Sequence, residues 1–151
     1  MNVDKVKKLM EVAEKFYSPK KLAHGIRVAN YACNCMENEF DRDAIYTLAV
    51  CHDLVEDTDA TYEDVAPIFE EYGSYLLEAL KLLTFDSEKE TYYEYIEKIA
   101  TMANSDKLNE NIPGTYALIV KRADMKDHLT LKDTLTDKLR EKYMPVIKFL
   151  L

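Results

Sequence analysis

Six residues in this chain have the types and spacing of a hydrolytic metal site: His24, the adjacent His52-Asp53, the pair Glu56-Asp57, and Asp124. Imidazole and carboxylate donors together suit Mn, Fe, Zn or Ni, whereas carboxylate and water suit Mg. A set of two histidines and two aspartates leaves coordination positions open for water and a phosphoryl oxygen. A hydrolytic centre needs both, because its ion polarises the phosphate and lowers the pKa of the water. His52 and Glu56 are four residues apart and share a face if the helical turn continues. Adjacent residues on a regular helix diverge by about 100°, so His52 and Asp53 reach one ion only where a helix runs out. Asp124 follows an apolar helical turn within Lys121-Arg122-Ala123-Asp124, which carries an acid toward the interior. A carboxylate there is costly unless paired or metal-bound.

The elements that position these residues are helical. Three glycines and four prolines in 151 residues are too few breakers for a many-turned sheet. A first helix is expected over Val3–Tyr17, with Val6, Leu9, Met10, Ala13 and Phe16 on one face. Ser18-Pro19 then reads as an N-cap followed by proline at the first helical position. The second helix runs from there to about Met36. After a polar break, ENEFDRD, a third helix covers about Ala44–Val55 and is apolar nearly all round, which places it at the centre of the fold. Thr61-Tyr62-Glu63-Asp64 has capping-box spacing for a fourth helix that stops at Gly73. Further helices are expected over Tyr75–Leu83 and about Glu88–Met102, then a polar loop, NSDKLNENIPG. A second central helix follows over Thr115–Leu131, and a last one over Thr136–Leu150 is interrupted near Pro145. No alternating strand is present in the pattern, and no linker or repeat divides residues 1–151, so one all-α domain is expected.

The bulk chemistry narrows the partners. A net charge of −8 repels a nucleic-acid backbone. A small nucleotide remains compatible, because a bound divalent ion reverses the local field. Cys33, Cys35 and Cys51 are odd in number, and the first two point to different helix faces, so they read as small apolar residues in a reducing compartment. The N-terminal segment is amphipathic without a continuous apolar run, so neither a signal peptide nor a membrane span is expected, and a cytoplasmic location follows. Tyr92, Tyr93 and Tyr95 at helical spacing read as packing.

A histidine on the second helix, then AVCHDLVEDTDATYEDV, then LIVKRADMKDHLTL, resembles the HD-domain phosphohydrolases, and within them the hydrolase half of the RelA/SpoT alarmone enzymes and their small single-domain relatives. The shared pattern is a lone His, an HDxxEDT segment, and a late aspartate in K-x-A-D, and it spans about residues 20–150. The resemblance implies an HD-domain helical bundle of six to eight helices around one metal site. It implies metal ligands at His24, His52, Asp53 and Asp124, a catalytic acidic pair at Glu56 and Asp57, and manganese as the ion, with Fe, Ni, Zn and Mg as alternatives. Arg27, Lys121 and His128 are the candidate substrate contacts. The expected reaction is hydrolysis of a phosphate ester or pyrophosphate in a small nucleotide, of the guanosine 3′,5′-bispyrophosphate 3′-pyrophosphohydrolase or the 5′-nucleotidase type, with homo-oligomers and a non-catalytic binding module left open. Three departures bear on the substrate. The first twenty residues lack the basic Gln-x-Arg-Lys run of the alarmone hydrolases, Gly25 stands where they have proline, and His128 stands where they have asparagine.

Overall fold

In the computed structural model, which describes residues 1–131 and 135–150, the chain is all-helical. Its elements in order are α1 (Val3–Phe16), α2 (Pro19–Cys33), α3 (Glu39–Cys51), α4 (Leu54–Asp57), α5 (Tyr62–Phe69), α6 (Ser74–Leu83), α7 (Tyr92–Ala103), α8 (Leu108–Thr130), α9 (Asp137–Tyr143) and α10 (Ile147–Leu150). Short 3₁₀ turns at Glu70–Tyr72 and Met144–Val146 extend α5 and join α9 to α10. Eight of these helices have seven residues or more, which is the all-α bundle expected from the breaker-poor composition.

Local chemistry sets most of the boundaries. Ser18 accepts a hydrogen bond from Lys21 N and Pro19 opens α2, as the Ser-Pro pair predicts. Thr61-Asp64 and Thr91-Glu94 both form reciprocal capping boxes. The second of these moves the start of α7 to Tyr92, later than the expected Glu88. Pro145 interrupts the last helical stretch, as expected.

Two segments expected as breaks are helical. ENEFDRD supplies most of the opening turns of α3, because Asn38 caps it through Asp41 N and Glu39 and Asp41 oppose the positive end of the helix dipole. NSDKLNENIPG is largely the start of α8, with Pro113 and Gly114 buried inside that helix. Gly114 is there for proximity: a Cβ on it would lie 2.5 Å from Ala103 N and 2.6 Å from the Met102 carbonyl carbon. The C-terminal turn of α7 and the early turns of α8 therefore touch backbone to backbone.

The long α8 is the axis of the bundle, packed against α2, α6 and α7 and touching α3. Its buried stripe runs Pro113, Ala117, Val120, Asp124 and Asp127, so two aspartates continue an otherwise apolar face into the interior. The apolar α3 lies against α2, with Ile45, Leu48, Ala49 and Val50 fully buried. Among the described residues, no helix is long and apolar enough to cross a membrane.

Gly114→Ala is expected to force α7 and α8 apart and to cost about 1–3 kcal/mol, the usual penalty of overpacking. Urea denaturation followed by circular dichroism reads the loss as a lower midpoint, and an unchanged midpoint would contradict the backbone contact.

Candidate metal centre

His52 and Asp53 are brought to one point by a break in the helix that carries them. Helix α3 ends at Cys51, His52 is its C-cap, and Asp53 (φ −99°, ψ −1°) starts the separate turn α4. Tyr17, the C-cap of α1, fixes this break: its hydroxyl donates to Val50 O at 2.9 Å and accepts from Asp53 N at 3.2 Å. Burial, together with the nearby Asp53 carboxylate, raises the phenol's pKa, so the hydroxyl stays protonated as a donor. Gly25 lets α2 come against the same turn, since a Cβ there would sit 3.0 Å from Val50 O.

Four elements then converge: His24 from α2, His52 and Asp53 from the α3–α4 break, and Asp124 and His128 from α8. His24 Nε2 lies 3.2 Å from Asp124 Oδ1 and 3.8 Å from Asp53 Oδ2. His52 Nε2 lies 3.3 Å from Asp53 Oδ1 and 3.7 Å from Asp124 Oδ1. The two imidazole rings stand 5.3 Å apart between centroids, tilted by 59°.

The other ring nitrogens decide how these imidazoles present themselves. His52 Nδ1 donates to Ala49 O at 2.7 Å, and His24 Nδ1 donates to Asp127 Oδ2 at 2.7 Å. With Nδ1–H committed to an acceptor, each ring turns the lone pair of Nε2 into the cluster. Both Nε2 atoms are buried without a hydrogen-bond partner. A buried polar atom in that state calls for an explanation, and a cation bound between the imidazoles and the carboxylates supplies one. Burial disfavours a charged His52, yet Asp53 and Asp124 outweigh it and lift its pKa to about 9. The cluster thus favours positive charge at this place.

Asp124 is itself buried, which by desolvation would raise its pKa, but Lys121 and the surrounding histidines hold it well below the carboxylate range. Lys121 Nζ donates to Asp124 Oδ2 at 2.8 Å and lies over the rings of Tyr95 and Tyr92. Burial works against its charge as well, and Asp124 restores it. The neighbouring Arg122 points elsewhere and donates to Leu150 O.

The acidic pair is split. Glu56 Oε1 accepts from Phe85 N at 2.6 Å, and burial raises its pKa, so this carboxyl exchanges a proton more readily than an exposed one. Asp57 instead pairs with Lys21, whose ammonium also lies 3.7 Å from Asp53 Oδ2. Arg27, an expected substrate contact, grips Asp127 through its guanidinium with two hydrogen bonds of 2.8 and 2.9 Å. Asp127 is fully buried, and the hydrogen bonds from Arg27 and His24, with the guanidinium charge, outweigh desolvation and lower its pKa. His128, expected at the substrate, turns Nε2 toward Asp124 Oδ1 at 3.3 Å.

Sequence reasoning missed Asp127, Tyr17, Lys21 and Lys142. Asp127 was detectable, being three residues after Asp124 on the face that also carries Val120. Lys142 reaches in from α9 to 4.2 Å from the centroid of the Tyr92 ring, and a sequence carries no signal for such a contact.

The family model for the HD domain matches residues 22–128, a span that contains the entire cluster. The chain belongs to the HD-domain family. HD domains bind divalent metals and are typically metal-dependent phosphohydrolases, and His24, His52 and Asp53, or His24, Asp124 and His128, are placed to hold such an ion in this HD domain. No curated protein and no solved structure matches the chain.

Asp127→Asn removes the charge that orients His24. Outer partners of this kind are worth roughly 10–100-fold in metal affinity. Calorimetric titration of the variant with Mn(II) is expected to show that weakening with its fold intact. Unchanged affinity would mean that His24 needs no such support.

Proposed function

We propose that this HD domain hydrolyses a phosphate ester or pyrophosphate linkage of a small nucleotide, with guanosine 3′,5′-bispyrophosphate as the leading substrate and manganese as the ion. The observation that carries the reading is the pair of unpartnered, buried Nε2 atoms of His24 and His52, aimed at the same place as Asp53 and Asp124. A divalent ion held there supplies the positive charge that polarises a phosphoryl group and acidifies water. The alarmone assignment rests on the resemblance of His52-Asp53, Glu56-Asp57 and Lys121–Asp124 to the RelA/SpoT pattern.

The chain's own residues divide the remaining work. Glu56, held through Phe85 N and with its pKa raised by burial, takes or returns the proton of the attacking water. Asp57, tied to Lys21, fixes the turn beside Asp53 and keeps a cation at the rim. Lys121, charged and immobilised by Asp124, provides a fixed positive field for a phosphate without losing entropy on binding. Arg27 acts through Asp127 and His24.

A 5′-mononucleotide is the second reading, favoured by the absence from the first twenty residues of the basic Gln-x-Arg-Lys run of the alarmone hydrolases.

Product analysis with Mn(II) and a nucleotide panel tests both readings, with Asp53→Ala as control. Pyrophosphate released from the 3′ position of guanosine tetraphosphate, and lost in the variant, is the expected result. Inorganic phosphate from 5′-mononucleotides would move the assignment to the nucleotidase reading. Absence of metal-dependent turnover across the panel would contradict the nucleotide hydrolase and favour a binding module.

A further inference from the structure

Three imidazole nitrogens surround a single carboxylate oxygen at the centre of this site. Asp124 Oδ1 lies 3.2 Å from His24 Nε2, 3.7 Å from His52 Nε2 and 3.3 Å from His128 Nε2. Donors bound to one ion at about 2.1 Å stand roughly 3–4 Å apart when they occupy neighbouring positions, so each imidazole is spaced from Asp124 Oδ1 as a fellow ligand would be.

His128 is placed there by helix geometry. It follows Asp124 by four residues on α8, so the two side chains rise from the same face one turn apart. Its ring lies 4.8 Å from that of His24, inclined by 36°, and 6.0 Å from that of Tyr143 on its other flank. Its side chain is 24 % exposed, against 9 % for His24 and 2 % for His52, so it stands on the solvent side of the cluster with its Nε2 turned inward to Asp124. Donor atoms of His24, Asp124 and His128 all lie within 4.8 Å of one another, as do those of His24, His52 and Asp53. The two triads share His24, and Asp124 Oδ1 reaches the second one through His52.

We propose that His128 is itself a metal ligand, so that this HD domain holds its ion with three imidazoles and two carboxylates. The proposal rests on the metal reading of the site and changes the role expected of His128, from substrate contact to ligand. It also has a consequence for selectivity. A third imidazole shifts preference toward Fe, Co, Ni or Zn and further from Mg, which favours oxygen donors. It would leave fewer positions for water and substrate oxygens, so a bound phosphate would draw more of its charge compensation from Lys121.

Pulsed electron paramagnetic resonance of the Mn(II)-loaded protein counts coordinated imidazole nitrogens without reference to activity. Wild type is expected to show three, and His128→Asn two, with calorimetric Mn(II) affinity reduced at least tenfold and the circular dichroism melt little changed. His128→Ala should behave in the same way, and the wild-type count decides the matter should either variant fold poorly. A wild-type count of two, with unchanged affinity in His128→Asn, would overturn the role of His128 while leaving the metal reading intact. A wild-type protein that binds no Mn(II), Co(II) or Zn(II) would overturn both.

Discussion

The hydroxyl of Tyr17 holds Val50 O with its proton and the Asp53 amide with its lone pair, and the rest of the site depends on that bridge. A continuous helix through residues 52 and 53 would send the two side chains about 100° apart. With α3 ending at Cys51 and α4 starting at Leu54, the two side chains meet instead, His52 Nε2 lying 3.3 Å from Asp53 Oδ1. The break exposes backbone groups in the interior, where an unsatisfied amide or carbonyl is costly. One phenol satisfies a donor and an acceptor across the gap. Gly25 then allows α2 to close over the turn and bring His24 to face it.

Charge is balanced in layers around this turn. The inner layer is the cluster of His24, His52, Asp53, Asp124 and His128. Behind it, Ala49 O and Asp127 fix the two histidine tautomers. Beyond that, Arg27 neutralises Asp127, Lys121 neutralises Asp124, and Lys21 pairs with Asp57. Buried carboxylates survive in a protein only with such partners. A single carboxylate can therefore serve two purposes here. Asp127 orients a ring and accepts a guanidinium, and Asp124 offers one oxygen to the imidazoles and the other to an ammonium.

The chemistry-bearing residues were more legible in the sequence than the backbone that carries them. His24, His52-Asp53 and Asp124 stand out because polar residues on apolar helical faces need a reason. Caps at Ser18 and Thr61 could be read directly, since each depends on residues within one turn. The opening turns of α3 and α8 could not. In both, a polar composition hid a helix whose stability comes from tertiary contact: α8 keeps Pro113 and Gly114 because α7 presses on Gly114. The hold of Arg27 on Asp127 could not be read either, because the two residues lie one hundred positions apart in sequence and spacing alone does not encode their contact. Lys142 was hidden for the same reason.

Diffraction from crystals loaded with Mn(II), with the anomalous signal of the ion as its marker, addresses the central claim most directly. The account predicts one strong peak within bonding distance of His24 Nε2, His52 Nε2, Asp53 and Asp124. A peak elsewhere, or none in crystals grown with saturating Mn(II), would contradict the claim that the two turned-in imidazoles exist to hold an ion.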